Sequence, residues 1–328
     1  MNVRQDDGLV LGIDLGGTKI LAGVVDSENR VLARAKRSTP AKQGNVAVFE
    51  AVWRCAEEAM AAAGVDVGEI SAACVGSPGP IDSEKGVILF SANMQVRELP
   101  LAAELSRVLG VPAILRNDVR VGAYGEYRLG AGRGYSSLLA AFVGTGIGGC
   151  VIESGRIVKG ATGNAGEIGH VVVKANGRRC GCGRQGCLEA MASRSAIAKK
   201  VSKAIKQGMT SMLAGKISEK GDRIKSRDLA QAFLAGDPLA LREVERSARY
   251  LGLTIGGLVN LLGPEVVVIG GGVTEAIGAP YVNLVRQHAR TQILTDPEGR
   301  IGIVPAALGD DAGILGAAIM AREALASG

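Results

Sequence analysis

The same order of elements is written twice in this chain. An apolar run at residues 9–14 ends in Asp14, a glycine turn follows at 15–19, a second apolar run covers 20–25, and a turn at 27–29 opens a third strand from Val31. Residues 137–143 then form another apolar run, 144–149 another glycine turn, 150–152 a returning strand, and 153–155 a further turn into a third strand. Runs of this length bounded by Gly and polar residues read as strands joined by hairpins. A pattern that recurs at this scale predicts two related α/β halves facing a common cleft.

Between and after these blocks the spacing predicts helices at 46–62 and 101–109, strands at 71–76 and 111–115, a mostly helical region over 189–262, a strand at 266–269, a last strand at 301–304 and a terminal helix from about 312. The break Ser77-Pro78-Gly79-Pro80 ends the strand before it. The expected division is a small lobe of residues 1–117, with a C-terminal helix of about 311–328 packing back on it, and a large lobe of residues 118–310.

A chain of 328 residues with 47% apolar content is long enough for two such lobes. Aromatics at 3% are too few for base-stacking platforms, so nucleic acid is not an expected partner. The net charge of +6 comes largely from residues 194–227, where Lys and Arg face only Glu219 and Asp222. The spacing of Lys199, Lys200, Lys203 and Lys206 fits a solvated helix face, and no role is assigned to that stretch. The most apolar segment, 138–152, is short and interrupted by glycines, so no membrane span is expected. The first residues lack the charged and apolar regions of a signal peptide, and the expected location is cytoplasmic.

Three of the six cysteines, Cys180, Cys182 and Cys187, lie within eight positions, and His170 precedes the first by ten. Three thiolates and one imidazole are the ligand type and number of a closed tetrahedral zinc site. Gly181, Gly183 and Gly186 let the backbone wrap one ion, whereas a disulfide across Cys-x-Cys is strained. Cys55, Cys74 and Cys150 lie among apolar residues and are read as buried core thiols. Glu167 and Glu189 flank the metal ligands; each is either an ordinary surface carboxylate or one of a clamped pair suited to bidentate bonds with adjacent sugar hydroxyls.

Three glycine turns follow apolar strands: Gly16-Gly17, Gly144 to Gly149, and Gly270 to Gly272. Backbone N–H groups at such turns can approach a phosphate chain. Neither GxxxxGK[ST] nor GxGxxG in its strand-to-helix setting is present. Asp14, with Thr18 and Lys19 just after it, is either the cap of an Asp–Gly turn or a carboxylate for Mg²⁺, direct or through water, beside phosphate-binding groups. Asn117 and Asp118 at a strand end are either a helix cap or an amide and a general base.

Taken together these residues resemble the ROK family (repressors, open reading frames and kinases). The Asp14-Leu-Gly-Gly-Thr-Lys19 segment resembles its first phosphate motif, and Gly144-Thr-Gly-Ile-Gly-Gly149 its second. Gly166-Glu-Ile-Gly-His170, then Cys180-Gly-Cys-Gly-Arg-Gln-Gly-Cys187-Leu-Glu189, resembles its zinc and sugar signature. The resemblance implies an actin-like (ribonuclease H-like) duplicated two-lobe α/β sugar kinase fold with an inserted zinc-binding segment. It implies phosphorylation of a hexose such as glucose at its primary hydroxyl, with MgATP as donor and structural zinc. Sugar contacts then fall to Gly79, Asn93, Asn117, Asp118, Glu167, His170 and Glu189, with Asp118 the catalytic base. Donor contacts fall to Asp14, Gly16, Gly17, Thr18, Lys19, Gly144, Thr145, Gly146, Gly271 and Gly272. Family members are commonly dimers or tetramers, so a homodimer or homotetramer is expected.

Other readings stay in view: N-acylmannosamine, fructose, mannose or allose as substrate, and polyphosphate as donor. Repressors share the family's body, but only eight residues precede the first strand here, too few for a helix-turn-helix module, and a DNA-binding role is therefore not expected.

Overall fold

A computed structural model describes residues 8–40, 42–91, 94–217, 224–296 and 298–327. The chain divides into two compact units, one running to Gly130 and resumed from Asp310, the other spanning Ala131–Gly309.

The first unit begins with β1 (Leu9–Leu15), β2 (Lys19–Val25) and β3 (Val31–Ser38), followed by α1 (Gly44–Ala63) and β4 (Ile70–Ser77). Three short strands come next, β5 (Ile81–Asp82), β6 (Val87–Ser91) and β7 (Val96–Leu99), then α2 (Leu101–Leu109), β8 (Ala113–Asn117) and α3 (Asp118–Leu129). The second unit holds β9 (Leu138–Val143), β10 (Ile147–Glu153), β11 (Arg156–Ile157), α4 (Leu188–Ala192), α5 (Arg194–Lys206), α6 (Ser226–Leu234) and α7 (Pro238–Leu262). It closes with β12 (Val266–Gly270), α8 (Gly272–Ile277), α9 (Ala279–Arg290) and β13 (Gly302–Pro305). The terminal helix α10 (Asp311–Ser327) returns to the first unit.

Each unit is built on a five-stranded sheet, ordered β3-β2-β1-β4-β8 in the first and β11-β10-β9-β12-β13 in the second. In both, the first three strands pair antiparallel and the other two add in parallel. The duplication expected from the apolar runs is thus present in strand order and direction. Parallel addition needs helical crossovers, which α1, α2 and the α4–α9 region supply.

Residues 81–99 form a separate small sheet, β5-β6-β7, that the sequence reading did not anticipate. These strands are short and their exposed and buried residues do not alternate, so they lack the period-two signal of a half-buried strand. The boundary between units also differs from the expected 117/118. Helix α3 packs against α10, so residues 118–130 stay with the first unit rather than opening the second.

Glycine contacts explain that allegiance. A Cβ at Gly12 of β1 would sit 2.1 Å from the Ile314 carbonyl oxygen of α10, one at Gly125 of α3 would lie 2.4 Å from that of Ala312, and one at Gly316 would lie 1.9 Å from that of Val121. Backbone therefore meets backbone along α10. On α5 the apolar face of Ala196, Ile197, Val201 and Ala204 is buried while Lys199, Lys203 and Lys206 are exposed as a solvated stripe, but Lys200, expected on the same face, is half-buried; residues 218–223 of the basic stretch lie outside the described residues. Cys55, Cys74 and Cys150 are buried core thiols, and burial pushes the Cys74 thiol up to about 12. Among the described residues no helix is long and apolar enough to cross a membrane.

Gly316→Ala is expected to destabilise the chain by about 1–3 kcal/mol through overpacking, even though Ala favours helix. Gly257→Ala, on an open face of α7 where a Cβ meets nothing within 4 Å, is expected to stabilise by roughly 0.5–1 kcal/mol. Urea unfolding of both variants tests the contrast.

Candidate active site and metal centre

In the second unit a small knuckle carries the metal candidates. The Gly183 N–H donates to the Cys180 carbonyl at 3.0 Å and the Cys180 N–H to the Arg184 carbonyl at 2.8 Å, closing a tight turn. Gly183 and Gly186 adopt φ of 90° and 78°, and a Cβ at Gly186 would lie 1.8 Å from the Lys174 carbonyl oxygen. Isolated bridges Val172–Cys187 and Arg179–Gln185 hold the loop's two sides together.

The ligand atoms of His170, Cys180, Cys182 and Cys187 all lie within 4.8 Å of one another. Cys180 Sγ is 3.8 Å from His170 Nδ1, and the Sγ atoms of Cys182 and Cys187 are 3.7 Å apart. Metal–sulfur bonds of about 2.3 Å in a tetrahedron place two sulfurs about 3.8 Å apart, so the four groups fit one tetrahedral ion. They do not fit a disulfide. Burial pushes the Cys180 thiol up to about 12, whereas the Arg184 N–H draws Cys182 below its ordinary value; a coordinated cation keeps such thiols ionised. With Nδ1 facing the thiols, His170 retains Nε2 for a second partner.

Glu189, the second residue of α4, ties this knuckle to the glycine turn after β9. One carboxylate oxygen lies 3.6 Å from Cys180 Sγ, and the other accepts from the Ile147 N–H at 3.1 Å. A Cβ at Gly146 would fall 2.2 Å from the second oxygen, so the absence of a side chain there makes room for the acid. Glu167 stands exposed at the start of the 3-10 turn 168–170, its carbonyl accepting from the His170 N–H at 3.0 Å.

The turn at Gly144 to Gly146 is closed by the Gly144 N–H donating to the Gly146 carbonyl at 2.9 Å, and Thr145 is exposed at its tip. Arg194, at the start of α5, donates from Nη2 to Thr145 Oγ1 at 2.7 Å and from Nη1 to the Ile224 carbonyl at 2.8 Å. Sequence reasoning missed Arg194, because nothing local marks an arginine on a helix as the support of a turn 49 residues away. Next to this turn, β12 pairs with β9 and delivers Gly271, whose φ of 85° and approach to Val143 leave no space for a Cβ. Gly272 begins α8. Two of the three glycine turns therefore sit on neighbouring strand ends.

In the first unit the β1–β2 turn is closed by the Gly16 N–H donating to the Lys19 carbonyl at 2.9 Å, and Thr39 Oγ1 donates to the Gly16 carbonyl at 2.7 Å. Gly17 and exposed Thr18 lie at its tip, and Lys19 pairs with Asp310. Asp14 is half-buried and makes no side-chain hydrogen bond among the described residues. Gly313 of α10 leaves space for it. Burial pushes its carboxyl up to about 6, against the pull of Lys19 and with the repulsion of Asp310. A carboxylate so placed is suited to a cation.

Asn117 and Asp118 fall where β8 becomes α3. Asn117 is the N-cap, its Oδ1 accepting from the Arg120 N–H at 3.1 Å, and Asp118 Oδ1 accepts from the Val119 N–H at 2.8 Å. The cap occupies the Asn117 oxygen and leaves its amide N–H₂ for a ligand, so both alternatives drawn from sequence are compatible. Gly79, with φ of 94°, lies exposed between β4 and β5, while Asn93 lies outside the described residues.

The ROK family model matches residues 10–324. The glucokinase of Thermotoga maritima is 35% identical over 315 residues, covering 96% of this chain and 97% of its own length. The chain belongs to the ROK family. A ROK family glucokinase from Streptomyces griseus, solved in complex with glucose and AMPPNP, superposes with a TM-score of 0.83 at 32% identity, covering 96% of this chain and 100% of that one. ROK relatives also include the DNA-binding transcriptional dual regulator NagC of Escherichia coli, 32% identical over 260 residues, 79% of this chain and 62% of the regulator.

Two outcomes follow from this ROK site. Elemental analysis is expected to find about one transition-metal ion per chain, lost together with thermal stability in Cys187→Ser. Asp14, raised in the folded state, favours folding most below its unfolded value of 3.8, and that contribution is lost as pH rises through about 6. Asp14→Asn is therefore expected to be near neutral at pH 3.5 and to stabilise at pH 7.5 by up to about 3 kcal/mol, read by urea unfolding at each pH.

Proposed function

We propose that this chain is an ATP-dependent hexose kinase that transfers the γ-phosphoryl group to the primary hydroxyl of glucose. The observation that carries the reading is the place of Glu189, whose carboxylate lies beside the metal knuckle, 3.6 Å from Cys180 Sγ, and accepts from the Ile147 N–H on the strand leaving the Gly144–Gly146 turn. Full-length likeness to glucokinases supports it, and the paired 3-2-1-4-5 sheets accord with an actin-like fold.

In this reading Gly79, Asn93, Asn117, Glu167, His170 and Glu189 hold the sugar. Asp118 accepts the proton of the primary hydroxyl as its oxygen forms a bond to the γ-phosphorus, and the bond to the departing ADP oxygen breaks in line. Backbone N–H groups of the turns at Gly16-Gly17, Gly144 to Gly146 and Gly271-Gly272, with Thr18, Lys19 and Thr145, meet the phosphate oxygens. Mg²⁺ near Asp14 neutralises charge on the donor. The ion held by His170, Cys180, Cys182 and Cys187 is zinc: three thiolates and an imidazole leave no open position, so it fixes the loop that presents Glu167 and Glu189 and takes no part in transfer.

Asp118→Ala is expected to lower kcat by roughly 10²–10⁴-fold while sugar binding is partly kept, the range for a lost general base. A panel of glucose, mannose, fructose, allose and N-acylmannosamine with ATP or polyphosphate, read by sugar phosphate formation, tests the whole assignment. Turnover with none of them ends the kinase reading; specific duplex binding at physiological salt moves the chain to the side of its NagC-like relatives.

A further inference from the structure

Away from the glycine turns, four cations gather around one buried acid. Glu243 of α7 is 3% exposed, pairs with Arg246, and accepts from Arg242 Nε at 3.2 Å. Arg178 of the metal loop reaches the Ala196 carbonyl one helical turn before Lys200 on α5, and Lys200 feels the charges of Arg178, Arg246 and Glu243. The Nε atoms of Arg178 and Arg246 are buried and meet no acceptor among the described residues. Arg246 also walls an open groove of about 600 Å³ between α7 and α9, together with Arg242, Arg249 and one acid, Glu245, whose carboxylate lies 2.7 Å from His288 Nε2.

Buried guanidinium N–H groups without acceptors and an uncompensated excess of positive charge are both expensive. We propose that Arg178, Lys200, Arg242 and Arg246 form a binding site for a phosphate-class anion on the α7 side of the second unit. A phosphate dianion changes the balance of these groups from four positive charges against one to four against three. Its tetrahedral oxygens accept from planar guanidinium forks, a match that a lone carboxylate does not provide as fully. Repulsion from Arg246 and Arg178, after burial itself, already draws the Lys200 ammonium below its ordinary value, a penalty that a bound anion relieves.

The site has a structural consequence for the metal loop. Arg178 lies between His170 and Cys180, its carbonyl accepts from the Gly186 N–H at 2.9 Å, and its Nη2 donates to the Ala196 carbonyl at 3.1 Å. An anion shared by Arg178 and Arg246 ties that loop to α7. The inference does not depend on the kinase reading.

Isothermal titration of the full chain with inorganic phosphate, in buffer free of phosphate and sulfate, is expected to show one saturable site with Kd of about 1 mM or tighter. Affinity falls roughly tenfold or more in Arg246→Gln and in Lys200→Gln, the loss of one charge-assisted bond, whereas Lys19→Met at the first glycine turn binds as wild type. Lys200→Gln leaves the Glu243 ion pairs intact, so the test survives misfolding of the Arg246 variant. A parallel titration with a hexose phosphate separates the sources: tighter binding with the same variant dependence assigns the ligand to a sugar ester, and equal or weaker binding assigns it to free phosphate. No saturable isotherm up to about 10 mM, wild-type affinity in both variants, or a loss confined to Lys19→Met overturns the site.

Discussion

The loop of the second unit depends on the convergence of His170, Cys180, Cys182 and Cys187, whose donor atoms lie within 4.8 Å of one another in an arrangement that fits one metal ion. The segment around them is rich in glycine and exposed, with few apolar side chains to bury, so hydrophobic packing alone supplies little to hold it. Gathering three sulfurs and one ring nitrogen fixes the backbone on both sides of the knuckle. Glu189 lies beside this knuckle, one oxygen 3.6 Å from Cys180 Sγ and the other accepting from the Ile147 N–H at 3.1 Å. An acid confined between a backbone N–H and the knuckle has little freedom left, and such preorganisation lowers the cost of binding a ligand.

Much of this was legible in the sequence, for identifiable reasons. Apolar runs closed by glycine turns are strong local signals, and they gave both halves and the order of their hairpins. Clustered thiols with one histidine at short range gave, without any knowledge of the fold, the four groups that folding brings within 4.8 Å of one another. The β5-β6-β7 sheet was not legible, because strands of two to five residues with irregular exposure carry no periodicity. Nor was the place of α3, since its partner α10 begins at Asp311, far along the chain.

Two residues show how function and structure share a position. Gly146 reads in sequence as a phosphate-turn glycine, yet its bare Cα also clears the Glu189 carboxylate. Asn117 reads as a cap or as a ligand, and its two polar ends permit both. Arg194 is the opposite case: its partners Thr145 and Ile224 are brought to it only by folding, so no spacing rule finds it.

The return of α10 to the first unit, with carbonyl oxygens seated against Gly12 and Gly125, carries a timing implication for biosynthesis. The segment 131–309 is contiguous and holds its whole core as soon as it has left the ribosome. The earlier-made segment must wait, one flank of its sheet uncovered, until the final helix emerges. The second half of the chain is thus free to settle before the first, reversing the usual amino-to-carboxyl order, and pulsed proteolysis of ribosome-stalled chains of increasing length reads that order directly.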